Sequence, residues 1–504
     1  MKGFATVDYV IVLGYLVLIA AIGASFYRRK STAKEFFLGG RSMSWLPVGI
    51  SLVAADLSAI TVMGIPAWSY KHNLELLVMT FGFPLMAPIV ILLFVPFYSK
   101  LNIYTAYEYL EKRFSLGVRV VTSILFQLLR GMHVAIVIYA PSLVINLVTG
   151  LPVWQCILFI GIFTTFYTSL GGIKAVIWTD VIQFCTVTFG VLFIFYMAVH
   201  HSGGMVSAYH VALNAGKLKM FNFSLKGSEM TSFWACLLGG FVLCMAPVTT
   251  DQAVLQRLFT TKSTRDCRQS IIVQSVITVP LSLMLYLTGV SLFVFYQSHS
   301  ARLAGLNSID AVMPFFAIRE LPAGMSGMII AAIFAASMAV MSAGINSLTT
   351  ATVVDFYKRI FRPNESEQRY AFIGRLGTLG WGLAMTLVAL FAHHFGELAI
   401  AYSRVSSLIS GPLLGIFLLA VLTRRTTPAG ALMGSGVGAA AVVACSFLTR
   451  WSFLYLGPIG VAATFVVGYL VSLTMAPQPP EKIRGYVYRQ GEVVAPVKEA
   501  SSES

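Results

Sequence analysis

Charge is what this chain has least of. Of its 504 residues only 11% are Asp, Glu, Lys or Arg, and only 20 are acidic, where an ordinary soluble domain carries about 25% charged residues. With 57% hydrophobic residues and a mean hydropathy of +0.80, the polar groups cannot cover the surface of a soluble fold. A soluble enzyme, a nucleic-acid binder and a disordered chain are excluded, and a polytopic membrane protein is left. Cysteine is sparse as well. Cys156, Cys185, Cys236, Cys244, Cys267 and Cys445 have no paired spacing and sit mostly in apolar runs, so they read as small core residues rather than disulfides or metal ligands. There is no HExxH, no nucleophile elbow and no P-loop. No fused kinase or sensor domain is expected.

Apolar runs near the length of a bilayer crossing predict thirteen spans. They lie at about 6–27, 44–66, 75–98, 119–147, 153–170, 175–199, 231–249, 271–296, 323–354, 371–392, 397–423, 428–447 and 453–475. The first run lacks a basic n-region and a small-residue cleavage site, so it reads as a retained span. The transporter-sized apolar region is 1–475, and the Pro-, Glu- and Ser-rich residues 476–504 are expected to be a disordered cytoplasmic tail. Lysine and arginine set the orientation. With the N-terminus outside, 25 of the 35 basic residues fall on the cytoplasmic side and 8 on the other, with Arg130 and Arg404 inside spans. The net charge of +15 is therefore mostly an orientation code, with the N-terminus outside, the C-terminus inside and loop charges acting as anchors. It is not a sign of nucleic-acid binding. The expected setting is the cell membrane, the expected partners are the bilayer and a small-molecule substrate, and the oligomeric state is not readable.

Ionisable groups within the bilayer are costly and point to function. Here they are Asp56, Arg130, His133, Asp180 and Arg404. The second span places Pro47, Gly49, Gly64 and Pro66 around the small polar centre Ala54–Thr61. That pattern predicts a helix broken at mid-membrane, whose freed carbonyls can face a cation in a protein cavity. In the ninth span Ser342, Asn346, Thr349 and Thr350 recur at helical spacing and share a face. Arg130 and His133 lie one turn apart. The guanidinium suits a bound carboxylate or a structural pair with Asp56 or Asp180. Asp180 follows the double glycine Gly171-Gly172 as an interfacial cap or part of an ion path. Arg404, with Ser403, Ser406, Ser407 and Pro412 nearby, suggests another interrupted helix.

Several motifs carry a resemblance. They are Phe37-Leu38-Gly39-Gly40-Arg41, the run from Thr105 to Phe114, the run from Tyr167 to Asp180, Asp251-Gln252 with Gln256-Arg257, and Ile345-Asn346-Ser347. Together the chain resembles the sodium:solute symporter family from about Asp8 to Val471, with Ala135–Pro141, Asn146 and Thr149-Gly150 most similar to the monocarboxylate, vitamin and iodide branch. The resemblance implies an all-α polytopic protein of LeuT type. Its two inverted five-helix repeats would cover about 44–199 and 231–423, within about thirteen transmembrane helices. It implies a symporter and not an enzyme, without a cofactor and with sodium as the coupling ion.

Carried over position by position, one sodium site would use the carbonyls of Ala54, Leu57 and Ala336, and a second would use Asp180 and Ser342. The family's hydroxyl pair in the first site falls on Ala339 and Val340, and a serine of the second on Ala343, so those oxygens are missing. Asp56 stands where relatives usually carry a neutral residue. It could restore cation binding, or it could serve coupling to protons instead. The substrate positions would be Ser58, Thr61, Thr80, His133 and Cys244, with Pro247. This set is poor in the directed partners that a sugar needs. With Arg130 it favours a small organic anion such as a monocarboxylate. A sugar or another neutral solute is the alternative.

Overall fold

The computed structural model describes residues 4–27, 32–101, 103–303, 306, 308–392 and 398–488, without the side chains of 99, 100, 147, 398–405 and 407. Secondary structure among them is helical, apart from one isolated bridge between Met43 and Thr261. The expected second span is broken. Trp45–Asp56 and Ala59–Lys71 meet at 62°, and Leu57 between them leaves the helical region at φ −89°, ψ 85°. Ser58 starts the second half by accepting the Thr61 N–H at 3.2 Å, the role a serine N-cap performs. The break is seated on Thr264–Ser298, where Gly289 lies so close that a Cβ would sit 2.0 Å from the Pro66 carbonyl oxygen. Ser69 locks the pair by donating to the Tyr286 carbonyl at 2.7 Å.

The helix Met325–Ala351 forms the centre of the molecule and is buried along almost its whole length. Small residues allow this. A Cβ on Gly344 would meet Val134 of the Leu116–Thr149 helix at 2.2 Å. Its N-terminus is capped by Asp8 of the first helix, which accepts the N–H groups of Gly324 and Gly327 at 2.8 and 2.7 Å. A carboxylate at a helix N-terminus satisfies orphan donors and complements the dipole. At the other end the backbone opens into a π-helical stretch, Thr352–Phe361, around the buried Asp355.

Two expectations, on an interrupted helix near Arg404 and on the tail, need correction. Among the described residues ten helices are long and apolar enough to cross a membrane by themselves, and the bent pair makes eleven. The expected runs 153–170 and 175–199 are two helices within Val153–His201 that meet at a kink at Gly172 (φ 58°, ψ −159°), a backbone setting open to glycine, where the double glycine placed a turn. The last helix before the C-terminal pair runs Leu398–Leu422 through Pro412 without the expected interruption, and the Arg404 side chain lies outside the described residues. Residues 476–488, expected in a disordered tail, are held against the fold. Tyr109 donates to the Tyr486 carbonyl at 2.8 Å, Tyr488 donates its N–H to Val421 at 2.8 Å and Lys482 reaches the Glu111 carbonyl at 3.2 Å. Averaged composition hid the aromatic anchors Tyr486 and Tyr488, and residues from 489 onward lie outside the described residues.

Some loop charges do more than anchor. Arg113 is fully buried and donates to the carbonyls of Ala420 and Thr423 at 3.3 and 2.8 Å, closing the end of Leu398–Leu422. Burial pushes its pKa down to about 10, against the raising effect of Tyr109. Arg119 binds Asp355 through two nitrogens at 2.9 and 2.7 Å, and binds Glu111 at 2.7 Å.

Candidate functional site

A cavity of about 250 Å³ opens beside the break in the second span. Ala55, Asp56, Ser58 and Thr61 line it from the broken span, Leu129, Arg130 and His133 from the Leu116–Thr149 helix, and Pro247, Thr250 and Asp251 from the end of Phe233–Thr250. Ser406, Ser410 and Leu413 close it. Five candidates chosen from sequence, Asp56, Ser58, Thr61, Arg130 and His133, thus share one wall system, together with Pro247. Thr80 and Cys244 do not line it. Thr80 donates to the Leu77 carbonyl at 2.8 Å, and the Cys244 thiol is directed at the Met79 carbonyl, 3.9 Å away. Both belong to the close packing of residues 79–82 on Phe233–Thr250, where a Cβ on Gly240 would meet the Met79 oxygen at 2.5 Å.

Arg130 is paired, and with neither of its expected partners. Its guanidinium contacts the carboxylate of Asp251, and its Nη1 lies 3.1 Å from His133 Nδ1. In that arrangement Nδ1 accepts and the ring proton sits on Nε2. The pair is mostly buried, with side chains 8% and 13% exposed. Asp251 occupies the junction between Phe233–Thr250 and Gln252–Leu258 (φ −90°, ψ 119°). One carboxylate oxygen caps the second helix through Ala253 N–H at 2.8 Å, which leaves the other for Arg130. Asp251 therefore does at the start of one helix what Ser58 does at the start of another, and both face the same cavity.

Asp56 projects into the cavity and accepts from Gln274 Nε2 at 2.7 Å. Among the described residues it has no ion-pair partner. The neighbouring Val53 and Leu57 turn the other way, into an apolar cluster with Ala335 and Ala336. Neither Leu57 nor Ala336 lines the cavity that Asp56 enters. Ala339 and Val340, where hydroxyls would be needed, are buried.

Asp180 is enclosed by its neighbours. It is fully buried, accepts from Ser51 Oγ at 2.5 Å and pairs with Arg257 at 2.8 Å, while Arg257 Nε donates to Ser51 at 2.7 Å. Its Oδ1 is buried without a hydrogen-bond partner, as are both amide atoms of Gln183 and of Asn346. Ser342 bonds back to the Ala339 carbonyl at 3.1 Å.

The model of the sodium:solute symporter family matches residues 36–438. The chain belongs to the sodium:solute symporter family. It is a transporter and not an enzyme, a membrane-embedded sodium-coupled carrier of a small solute. Among its relatives, the sodium/sialic acid symporter NanT of Aliivibrio fischeri is 31% identical over 94% of each chain. The human sodium-coupled monocarboxylate transporter 1 is 32% identical over 86% of this chain and 72% of the relative. A substrate-bound, outward-open sodium-coupled sialic acid symporter superposes with a TM-score of 0.88 at 28% identity, covering 94% of this chain and 99% of the other. Mhp1, a nucleobase-cation-symport-1 transporter, shares the LeuT-like fold at a TM-score of 0.63 and 12% identity, over 89% of this chain and 97% of the other.

Within this symporter, sequence reasoning missed the roles of Asp251, Gln274 and Arg257. Asp251 was visible as part of a motif, and a lone acid just past Pro247 at a span end is the same helix-break signature that singled out Asp56. Gln274 is one polar residue in a long apolar helix and offered no comparable signal.

Proposed function

We propose that this symporter imports a small organic acid with sodium, and that the solute carboxylate binds the Arg130–His133 face of the cavity. The observation that carries the reading is the placement of this guanidinium in the wall of a cavity at a broken helix. Arg130 engages Asp251 through Nη2 and His133 through Nη1, and a planar guanidinium matches a carboxylate in geometry. The cavity volume of about 250 Å³ lies below the roughly 300–1,000 Å³ of drug-sized pockets, which favours a small solute. The names of the relatives, sialic acid and monocarboxylate carriers, point to the same charge class.

Sodium is assigned to the carbonyls of Ala54 and Leu57 with that of Ala336, supported by the packing of Leu57 in one cluster with Ala336. A second position is assigned to Asp180 together with Ser342, supported by the unpartnered Asp180 Oδ1, because a hard cation takes oxygen ligands. The repeats are assigned to 44–199 and 231–423, with the N-terminus outside and the C-terminus inside. Titration of purified protein with short monocarboxylates and sialic acid, in sodium and in potassium chloride, tests the reading. Binding should be tighter in sodium by the roughly 5–150-fold typical of coupled sites. Equal affinity in the two salts, or no carboxylate binding, overturns it.

A further inference from the structure

We infer that the solute is a zwitterion, with its carboxylate on Arg130 and a cationic ammonium head on Asp56; this rests on the cavity being the solute site proposed above. Charge along the wall is the first argument. Among the described side chains, the cavity is lined by two carboxylates, Asp56 and Asp251, and by one guanidinium, Arg130. Arg130 is already engaged by Asp251. A plain monocarboxylate would bring a third negative charge to that one cation, inside a membrane where unbalanced charge is costly. An ammonium on the same solute supplies the missing positive charge.

The second argument is direction. Asp56 lines the cavity, whereas Leu57 and Ala336 do not and belong together to an apolar cluster. The Asp56 carboxylate is therefore the acidic group that the break offers to a solute in the cavity. The third is the supply of acceptors. An ammonium has three donors to satisfy. Asp56 receives one hydrogen bond, from Gln274, and the Gln274 Oε1 beside it is buried without a partner. The Ser58 and Thr61 hydroxyls, 3.1 Å apart, stand on the same wall.

A positive group at Asp56 could come from the solute or from free sodium, and paired ligands separate the two. Full-length protein is titrated in sodium with common α-amino acids, each set against its des-amino counterpart, such as alanine against propionate and phenylalanine against 3-phenylpropionate. The amino member of the best pair should bind at least about tenfold tighter, the scale of one charge-assisted hydrogen bond. In Asp56→Asn that preference should vanish, chiefly through weaker binding of the amino member. Des-amino acids that bind wild-type protein as tightly as their amino partners overturn the zwitterion while leaving the organic-acid reading intact. Asp56→Asn weakening both members equally, with loss of the sodium effect, also overturns it and places sodium at Asp56. Binding of neither class refutes both readings. The wild-type comparison stands by itself if the variant does not fold.

Discussion

Replacing Arg130 with Gln and Asp251 with Asn, singly and together, separates the two things Arg130 can be doing. The two side chains are in contact and only 8% and 13% exposed. Arg130→Gln leaves a buried carboxylate without its cation, and breaking such a pair costs about 3–5 kcal/mol of stability. If the guanidinium also holds the solute carboxylate, one hydrogen bond between charged groups is lost as well. That is worth about 1.5–3 kcal/mol, or roughly ten- to a hundredfold in affinity. The double variant restores the charge balance, so most of the stability should return while the affinity does not. Calorimetric titration gives the affinity, and thermal inactivation in detergent gives the stability. Wild-type affinity in the double variant would refute the reasoning, because Arg130 would then serve only to neutralise Asp251.

Three further outcomes follow from the same geometry. Asp355 accepts from Thr105, Ser123 and both Arg119 nitrogens at 2.6–2.9 Å, so Asp355→Asn should destabilise by about 3–5 kcal/mol, read as a shortened thermal half-life that Arg119→Met partly restores. Burial alone would raise the Glu111 pKa, but hydrogen bonds from Arg359 and Arg119 outweigh it and hold the group below its usual range. A depressed folded-state value means that the clamp is fully present above the ordinary glutamate range and is lost as pH falls through the lowered value. The stability gap between wild type and Glu111→Gln should therefore be open at pH 7 and close toward strongly acidic pH. A Cβ at Gly344 would meet Val134 Cγ2 at 2.2 Å and Arg130 Cδ at 3.4 Å, so Gly344→Ala should slow uptake about tenfold or more by displacing the Arg130 helix. Val134→Ala should rescue it, and failure of that rescue argues against the displacement.

Much of the site was legible because the bilayer makes ionisable residues conspicuous. Asp56 and Arg130 stood out against apolar runs, and Ser58, Thr61 and His133 came with them through helix breaks and helical spacing. Partner choice was not legible. Arg130 was expected to hold a solute carboxylate or to pair with Asp56 or Asp180, but Asp251 lies at a span end where an acid looks ordinary, and only the fold brings residues 121 positions apart together. Positive-inside counting took Arg113, Arg119 and Arg257 as anchors at span ends. It has no term for a short helix or loop folding back under the spans, so their burial was invisible. Composition hid the ordered tail in the same way, because Tyr486 and Tyr488 are two anchors in an otherwise polar stretch. The turn between the runs 153–170 and 175–199 was legible in the double glycine, and Gly172 is where the helices kink.

Sodium coupling can be isolated in proteoliposomes that hold the purified protein and are placed under an inward sodium gradient alone or an inward proton gradient alone, at matched membrane potential. Uptake of the best-binding carboxylate should follow the sodium gradient and be indifferent to the proton gradient. Uptake that follows the proton gradient and ignores sodium would contradict sodium coupling, and would turn attention to Asp56 and to the apolar residues Ala339 and Val340, where the expected hydroxyls are missing.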